Sequence, residues 1–204
     1  MAVSHLRSFG AKKLSSRISG SALSRRALLG GLTTITALAA LPAFASAPAL
    51  LVGAGSFRDI SLVNNRTGEW LKTVYWVQGE YIPEALDAVN HIMRDWREDL
   101  VFNMDPRAID ILSATQNILD CDEPFEVISG YSTARTNAML RRRSRAVARN
   151  SYHIQGMAVD VKMKTRSVRQ ISLAGHSLGA GGVGKYTRSM FVHLDSGPVR
   201  DWGR

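Results

Sequence analysis

Ser151-Tyr-His-Ile-Gln-Gly-Met-Ala-Val-Asp160 and Phe191-Val-His-Leu-Asp195 are the two stretches on which the reading of this chain turns. In the second, a two-residue period puts Phe191, His193 and Asp195 on one face of a strand and Val192 and Leu194 on the other. In the first, residues 157–163 read as a short strand in which Asp160 stands between valines. An ionised carboxylate there is costly unless something positive compensates it. His153 precedes that strand, at the end of a polar loop over residues 146–156. Two imidazoles and a carboxylate suit a tetrahedral zinc whose fourth position stays open to water. Each residue also has an ordinary explanation: Asp160 capping a turn, His153 on a surface loop, His193 as a hydrogen-bonded core histidine.

Working outward, Arg58–Val63 and Glu69–Val77 flank the turn Asn64-Asn-Arg-Thr-Gly68 and read as an N-terminal β-hairpin. Pro83 opens a helical pattern running through Leu86, Val89, Met93 and Trp96, and Asp105-Pro106 opens a second through Ile109, Leu112 and Ile118. Phe125–Ser129 reads as a strand. Ser132 or Thr133 caps a third helix to about Arg145, and a fourth runs from about Ser167 to Leu178. The glycine-rich run 179–184 leads into strands at Val183–Tyr186 and Met190–Asp195. Strands and helices mix without a βαβ rhythm, so the expected class is α+β: a small antiparallel sheet carrying the metal site, about four helices, and the hairpin.

Residues 1–45 are read as an export signal and set apart from the fold. They carry six basic residues and no acidic one, then an apolar stretch from Ala27 to Ala40 and the small residues Ala43-Phe44-Ala45. Ser24-Arg25-Arg26-Ala27-Leu28-Leu29 resembles a twin-arginine signal; an ordinary signal or an uncleaved anchor are the alternatives. Residues 46–56 read as a linker and 57–204 as one domain. Without the leader, 20 basic residues face 17 acidic ones, about +3, so the high isoelectric point is largely the leader's. That balance, with no aromatics interleaved in Arg141-Arg-Arg-Ser-Arg145, argues against nucleic acid. The arginine run is a solvated helix face or an attraction to an acidic polymer outside the cytoplasm. Cys121 is the single cysteine, so no intramolecular disulfide forms, and its acidic setting does not suit a nucleophile.

From Val127 to Trp202 the chain resembles the zinc murein peptidases that share a fold with D-Ala-D-Ala carboxypeptidases and the hedgehog signalling domain, most of all the exported endopeptidase K type. Ile128-Ser-Gly-Tyr131, Thr136–Leu140, Ser151–Asp160, Gly181-Gly-Val-Gly184 and Phe191–Pro198 carry the resemblance, and Asn64–Gly68 with Tyr81–Glu84 extend it upstream. It implies zinc on His153, Asp160 and His193, cleavage of peptide cross-bridges in peptidoglycan, and a periplasmic protein that meets the membrane only through its export signal; a monomer is expected. Two positions depart from the pattern. Ser132 stands where an arginine is usual, leaving Arg135 one helical turn away to orient the substrate, and Lys185-Tyr186-Thr187 replaces tyrosine-tyrosine-proline.

Related peptidases place a glutamate or a histidine base just before the last ligand. Met190 and Phe191 occupy those positions here. Asp195 is then the nearest candidate base, with orientation of an imidazole as its alternative role. Tyr131 and Tyr186 are candidates to hydrogen-bond a developing oxyanion. His176 reads more simply as a helix-terminus cation and His91 as a helix-surface residue. The expected function is zinc-dependent hydrolysis of peptidoglycan cross-links; the alternative is a catalytically weak or inactive wall-binding domain of the same fold.

Overall fold

The computed structural model describes residues 56–145 and 147–203. The leader and, apart from Ser56, the linker therefore lie outside the described residues. The elements run β1 (Phe57–Asn64), β2 (Glu69–Val77), β3 (Glu80–Tyr81), α1 (Pro83–Ile92), α2 (Pro106–Ile118), β4 (Phe125–Ser129), α3 (Ala134–Arg143), a 3₁₀ turn (Tyr152–Gln155), β5 (Ala158–Lys162), α4 (Val168–Ser177), β6 (Gly182–Tyr186), β7 (Phe191–Asp195) and β8 (Arg200–Gly203). The architecture is mixed α+β with four helices among the described residues.

All eight strands join one sheet in the order β3-β2-β1-β4-β5-β7-β6-β8. The N-terminal hairpin is found as β1–β2, and the expected small antiparallel sheet is corrected on two counts. The hairpin β1–β2 is part of the same sheet, and β1–β4 and β6–β8 pair in parallel. The parallel link between β1 and β4 joins Leu62 to Phe125 and Val63 to Glu126, two segments whose own patterns carry no sign of each other.

The sheet has a core face and a site face, and the two-residue period separates them. Ile60 and Leu62 of β1, Val127 of β4, Val159 and Val161 of β5, and Val192 and Leu194 of β7 are buried together. The helices α2 and α4 pack over them; Gly175 of α4 sits so close to Leu194 that a side chain there would strike it. Asp160 and His193 alternate with these valines and leucines and so fall on the opposite face, paired with each other across β5 and β7.

The helix starts follow from local chemistry. Asp105 accepts from the Arg107 N–H at the head of α2, with Pro106 at the first helical position. Thr133 caps α3 through the Thr136 N–H, and Ser167 forms a capping box with Gln170 on α4. The first helix ends at Ile92 rather than reaching Trp96, because the chain turns there into a bridge between Asp95 and Leu100.

Candidate metal centre

His153 is delivered by the 3₁₀ turn, in which Ser151 Oγ accepts from the His153 N–H and Gly156, at φ 67°, ends the turn. Its Nδ1 lies 2.7 Å from the Gly130 carbonyl. A carbonyl only accepts, so the ring proton is on Nδ1 and the neutral ring presents a bare lone pair at Nε2. Gly130 is held by contact with the backbone of Met93, which leaves no room for a side chain.

His193 is fixed in the opposite tautomer. Its Nε2 lies 2.9 Å from Oδ2 of Asp195, a fully buried carboxylate held well below the usual range; burial opposes this but is outweighed by hydrogen bonds from His193 and Arg200. The proton therefore belongs to Nε2, and Nδ1 faces inward. There His193 Nδ1 is 2.8 Å from Asp160 Oδ1, His153 Nε2 is 3.3 Å from the same oxygen, and the two ring nitrogens are 3.2 Å apart.

Three electron-pair donors thus converge with their protons assigned elsewhere. Such a cluster holds together only around a proton or a cation. Without a bound cation, burial disfavours charge on His193, but hydrogen bonds to Asp160 and Asp195 prevail and push its pKa up to about 9. A tetrahedral zinc with bonds of about 2.0–2.1 Å needs donors about 3.3 Å apart; the 3.3 and 3.2 Å separations match this, and the 2.8 Å one needs only a small opening of His193 from Asp160. Imidazoles whose far nitrogens are anchored on a carbonyl and a carboxylate are also the usual arrangement around zinc.

The three residues open onto a cleft of about 490 Å³. Stacked Tyr186 and Phe191, with centroids 4.5 Å apart, form part of one wall, and Trp202 lies 5.2 Å from the His193 ring. Gly182 and Gly184 explain the glycine run: a Cβ on the first would strike Asp195 and Arg200, and on the second Trp202. The small residues let those side chains lie over β6.

A match to the family model for peptidoglycan L,D-endopeptidase MepK extends over residues 52–202. The chain belongs to this family. It is 40% identical to the MepK of Escherichia coli strain K12 over 174 residues, covering 85% of this chain and 93% of that protein. It is also 40% identical to the probable MepK of Haemophilus influenzae over 71% of this chain and 78% of that one. Among solved structures, the L-Ala D-Glu endopeptidase ChiX of Serratia marcescens overlays with a TM-score of 0.32 and 17% identity, over 47% of this chain and 68% of that chain.

The other expected site residues are placed less uniformly. Asp195 adjoins the centre, but its oxygens are filled by His193, Arg200 and the N–H groups of Gly182 and Gly197, which fits orientation of a ring rather than uptake of a proton. Arg135 is not brought to the cleft: in the first turn of α3 its side chain is 89% exposed and faces Glu98 at 3.5 Å. Tyr131 stacks on Phe102 at 4.6 Å and does not line the cleft, whereas Tyr186 does. Tyr186 Oη accepts from the Trp202 indole N–H at 2.9 Å, leaving its own hydrogen free for the cleft. Ser132 is buried at the cleft wall, its N–H bonded to the His153 carbonyl. His91 and His176 are exposed on their helices.

Sequence reasoning missed Arg200. It donates to both oxygens of Asp195 at 3.0 and 2.7 Å, lies against the rings of Tyr152 and Trp202, and lines the cleft. Its strand, β8, has four residues with no apolar alternation, so periodicity gave no sign of it.

Proposed function

We propose that this chain is an exported zinc-dependent endopeptidase that hydrolyses peptide cross-links of peptidoglycan in the periplasm, of the L,D type named for its relatives. The convergence of His153 Nε2, Asp160 Oδ1 and His193 Nδ1, each ring with its other nitrogen anchored, is the observation that carries this reading. These three atoms would hold the metal. Bound there, zinc supplies Lewis acidity that polarises a peptide carbonyl and acidifies water toward neutral pH.

The remaining work falls to the chain's own residues. Gly130 and Asp195 keep the two imidazoles in the tautomers that leave their inner nitrogens bare, and Arg200 keeps Asp195 charged and in place. Tyr186, with its oxygen already accepting from Trp202, has a hydrogen to donate to a substrate carbonyl oxygen as negative charge develops there. The aromatic wall of Tyr186, Phe191 and Trp202 offers apolar contact to a peptide strand and excludes water from it. Among the described residues lining the cleft, no carboxylate or imidazole stands beyond the three ligands. That absence is what would favour a catalytically weak, wall-binding protein, and the same experiment decides between the two.

The test uses protein lacking residues 1–45, loaded with zinc, on cross-linked muropeptide dimers. Conversion to monomers is expected, with His193→Ala lowering the rate by at least about a thousandfold. Binding without turnover by the zinc-loaded protein would leave the weak wall-binding reading; turnover unchanged in His193→Ala would refute the metal centre. Export is checked separately: Arg25→Lys with Arg26→Lys should hold the chain in the cytoplasm if the twin-arginine reading is right.

A further inference from the structure

Charge is divided sharply along this chain. Residues 57–126 contain 14 acidic and 6 basic residues; residues 127–194 contain 12 basic residues and one acidic residue, the Asp160 of the metal centre. The basic half builds the cleft. On one wall, Leu140, Ser144, Val147 and Ala148 line it, and Arg141, Arg142, Arg145 and Arg149 are interleaved with them, all exposed. On the other wall, Tyr186, Ser189 and Phe191 line it beside Arg188. Among the described residues, no carboxylate lies within ion-pair reach of any of these five cations.

Helix electrostatics account for only part of this. Arg141 and Arg142 sit in the last turn of α3, where a cation is favoured by the helix dipole. Arg145 and Arg149 lie beyond the helix, and Arg188 belongs to the turn after β6, so they serve no dipole. Like charges gathered on both sides of one groove repel each other and raise the local concentration of an anionic partner.

We propose that this basic rim holds the uncut, carboxylate-bearing peptide strands of the wall polymer on either side of the bond that enters the metal centre. The inference rests on the function proposed above and adds to it the recognition of the intact, anionic polymer. The rim borders the metal cleft itself, so the polymer it holds is the one whose bond is presented for cleavage. Peptide strands of a wall polymer carry free carboxylates, which arginine pairs with in bidentate fashion. Part of the substrate affinity then comes from charge lying outside the reacting centre.

The experiment measures binding, so it does not depend on turnover. Protein lacking residues 1–45, with zinc removed by chelation, is sedimented with purified peptidoglycan sacculi across a salt series. The variant combines Arg141→Gln, Arg142→Gln, Arg145→Gln and Arg149→Gln. The control removes the same charge elsewhere through Lys72→Gln, Arg107→Gln, Lys164→Gln and Arg169→Gln. All eight positions are exposed, and thermal unfolding verifies that both proteins fold. Affinity for sacculi is expected to fall about tenfold in the rim variant and less than about twofold in the control, with the difference vanishing at high salt. Sacculi whose carboxylates have been amidated should bind the unaltered protein as weakly as the rim variant binds untreated ones. Equal binding by rim variant and unaltered protein, or binding that survives amidation, would overturn the proposal. Rim-dependent binding to anionic phospholipid vesicles or to heparin, with none to sacculi, would overturn it too. Loss of binding as expected, in a protein that proves inactive on muropeptides, would leave the rim standing and remove the catalytic reading alone.

Discussion

Two carboxylates in this protein, Asp110 and Asp160, are each held among polar partners but differ in exposure, 3% against 17% of the side chain, and in where the protons are. Asp110, on α2, accepts from Arg58 at 3.0 Å, from Tyr75 at 2.9 Å and from Tyr81 at 2.7 Å. Its charge is met by a guanidinium, and both tyrosines stay donors because burial, aided by the adjacent carboxylate, pushes their pKa values far above the ordinary tyrosine range. The carboxylate is fully met by committed donors, although Nε of Arg58 is buried without a partner. Asp160 faces two ring nitrogens whose protons are committed to Gly130 and Asp195, so its cluster is one positive charge short. An acceptor met by committed donors describes a structural network; a set of acceptors aimed at one point describes a binding site.

The difference is broken most severely from the structural side. Asp110→Ala leaves Arg58 buried without its partner and is expected to cost about 3–5 kcal/mol in urea unfolding. Asp160→Ala in zinc-free protein should cost clearly less, since both imidazoles can then stay neutral while keeping their outer partners. Equal losses would erase the distinction drawn here.

Arg200→Ala sharpens the other side. Freed from its guanidinium, Asp195 should hold His193 less firmly, and zinc affinity should fall about 10- to 100-fold, with Arg200→Lys recovering part of it. Nitrogen chemical shifts of His193 in zinc-free protein, read above about pH 9 where the ring is neutral, should show mixed tautomers in Arg200→Ala; a single tautomer with full zinc affinity would argue against this positioning role.

The two clusters also respond to pH in different windows. In zinc-free protein the His193 pKa is raised from 6.5 to about 9, so the stability it contributes is fully present below 6.5 and lost as pH rises through about 9. The tyrosines on Asp110 are raised from 10, so their contribution holds to about pH 10 and declines above it. Urea unfolding of zinc-free protein from pH 6 to 11 should show the first loss, then the second. Saturating zinc should abolish the first, because the metal replaces the proton on His193.

The smallest effect belongs to Arg135. Its partner Glu98 is met at the surface, and exposed pairs contribute little. Arg135→Ala should keep kcat/KM on muropeptides within about threefold of the unaltered protein; a loss above tenfold would bring it back to the active site.

Much of this was legible in the sequence, for reasons that are local. The two-residue period around His193 and the valines flanking Asp160 separate core from site within five residues each, and the structure keeps that separation across β5 and β7. The starts of α2, α3 and α4 are written in the caps Asp105, Thr133 and Ser167, and that of α1 in Pro83 at its first position. Less legible was whatever depends on distant partners. The parallel register of β1 with β4 joins segments some sixty positions apart, and β8 becomes a strand only because β6 offers it an edge. Arg135 was misjudged because helical spacing gives distance along a turn, not which neighbour the side chain meets. Asp195 shares a face with His193 as its position suggested, but its saturation by Arg200 and two glycine N–H groups depends on the unseen β8 and on the turn at Gly197.

The central claim is that His153, Asp160 and His193 form one open cation site, and metal content tests it most directly. Protein lacking residues 1–45, dialysed against limiting zinc and assayed by elemental analysis, should carry one zinc per chain. His153→Ala, Asp160→Ala and His193→Ala should each carry close to none, while Asp110→Asn carries the full complement. A chain without zinc, or one that keeps it after loss of any of the three ligands, would contradict the account.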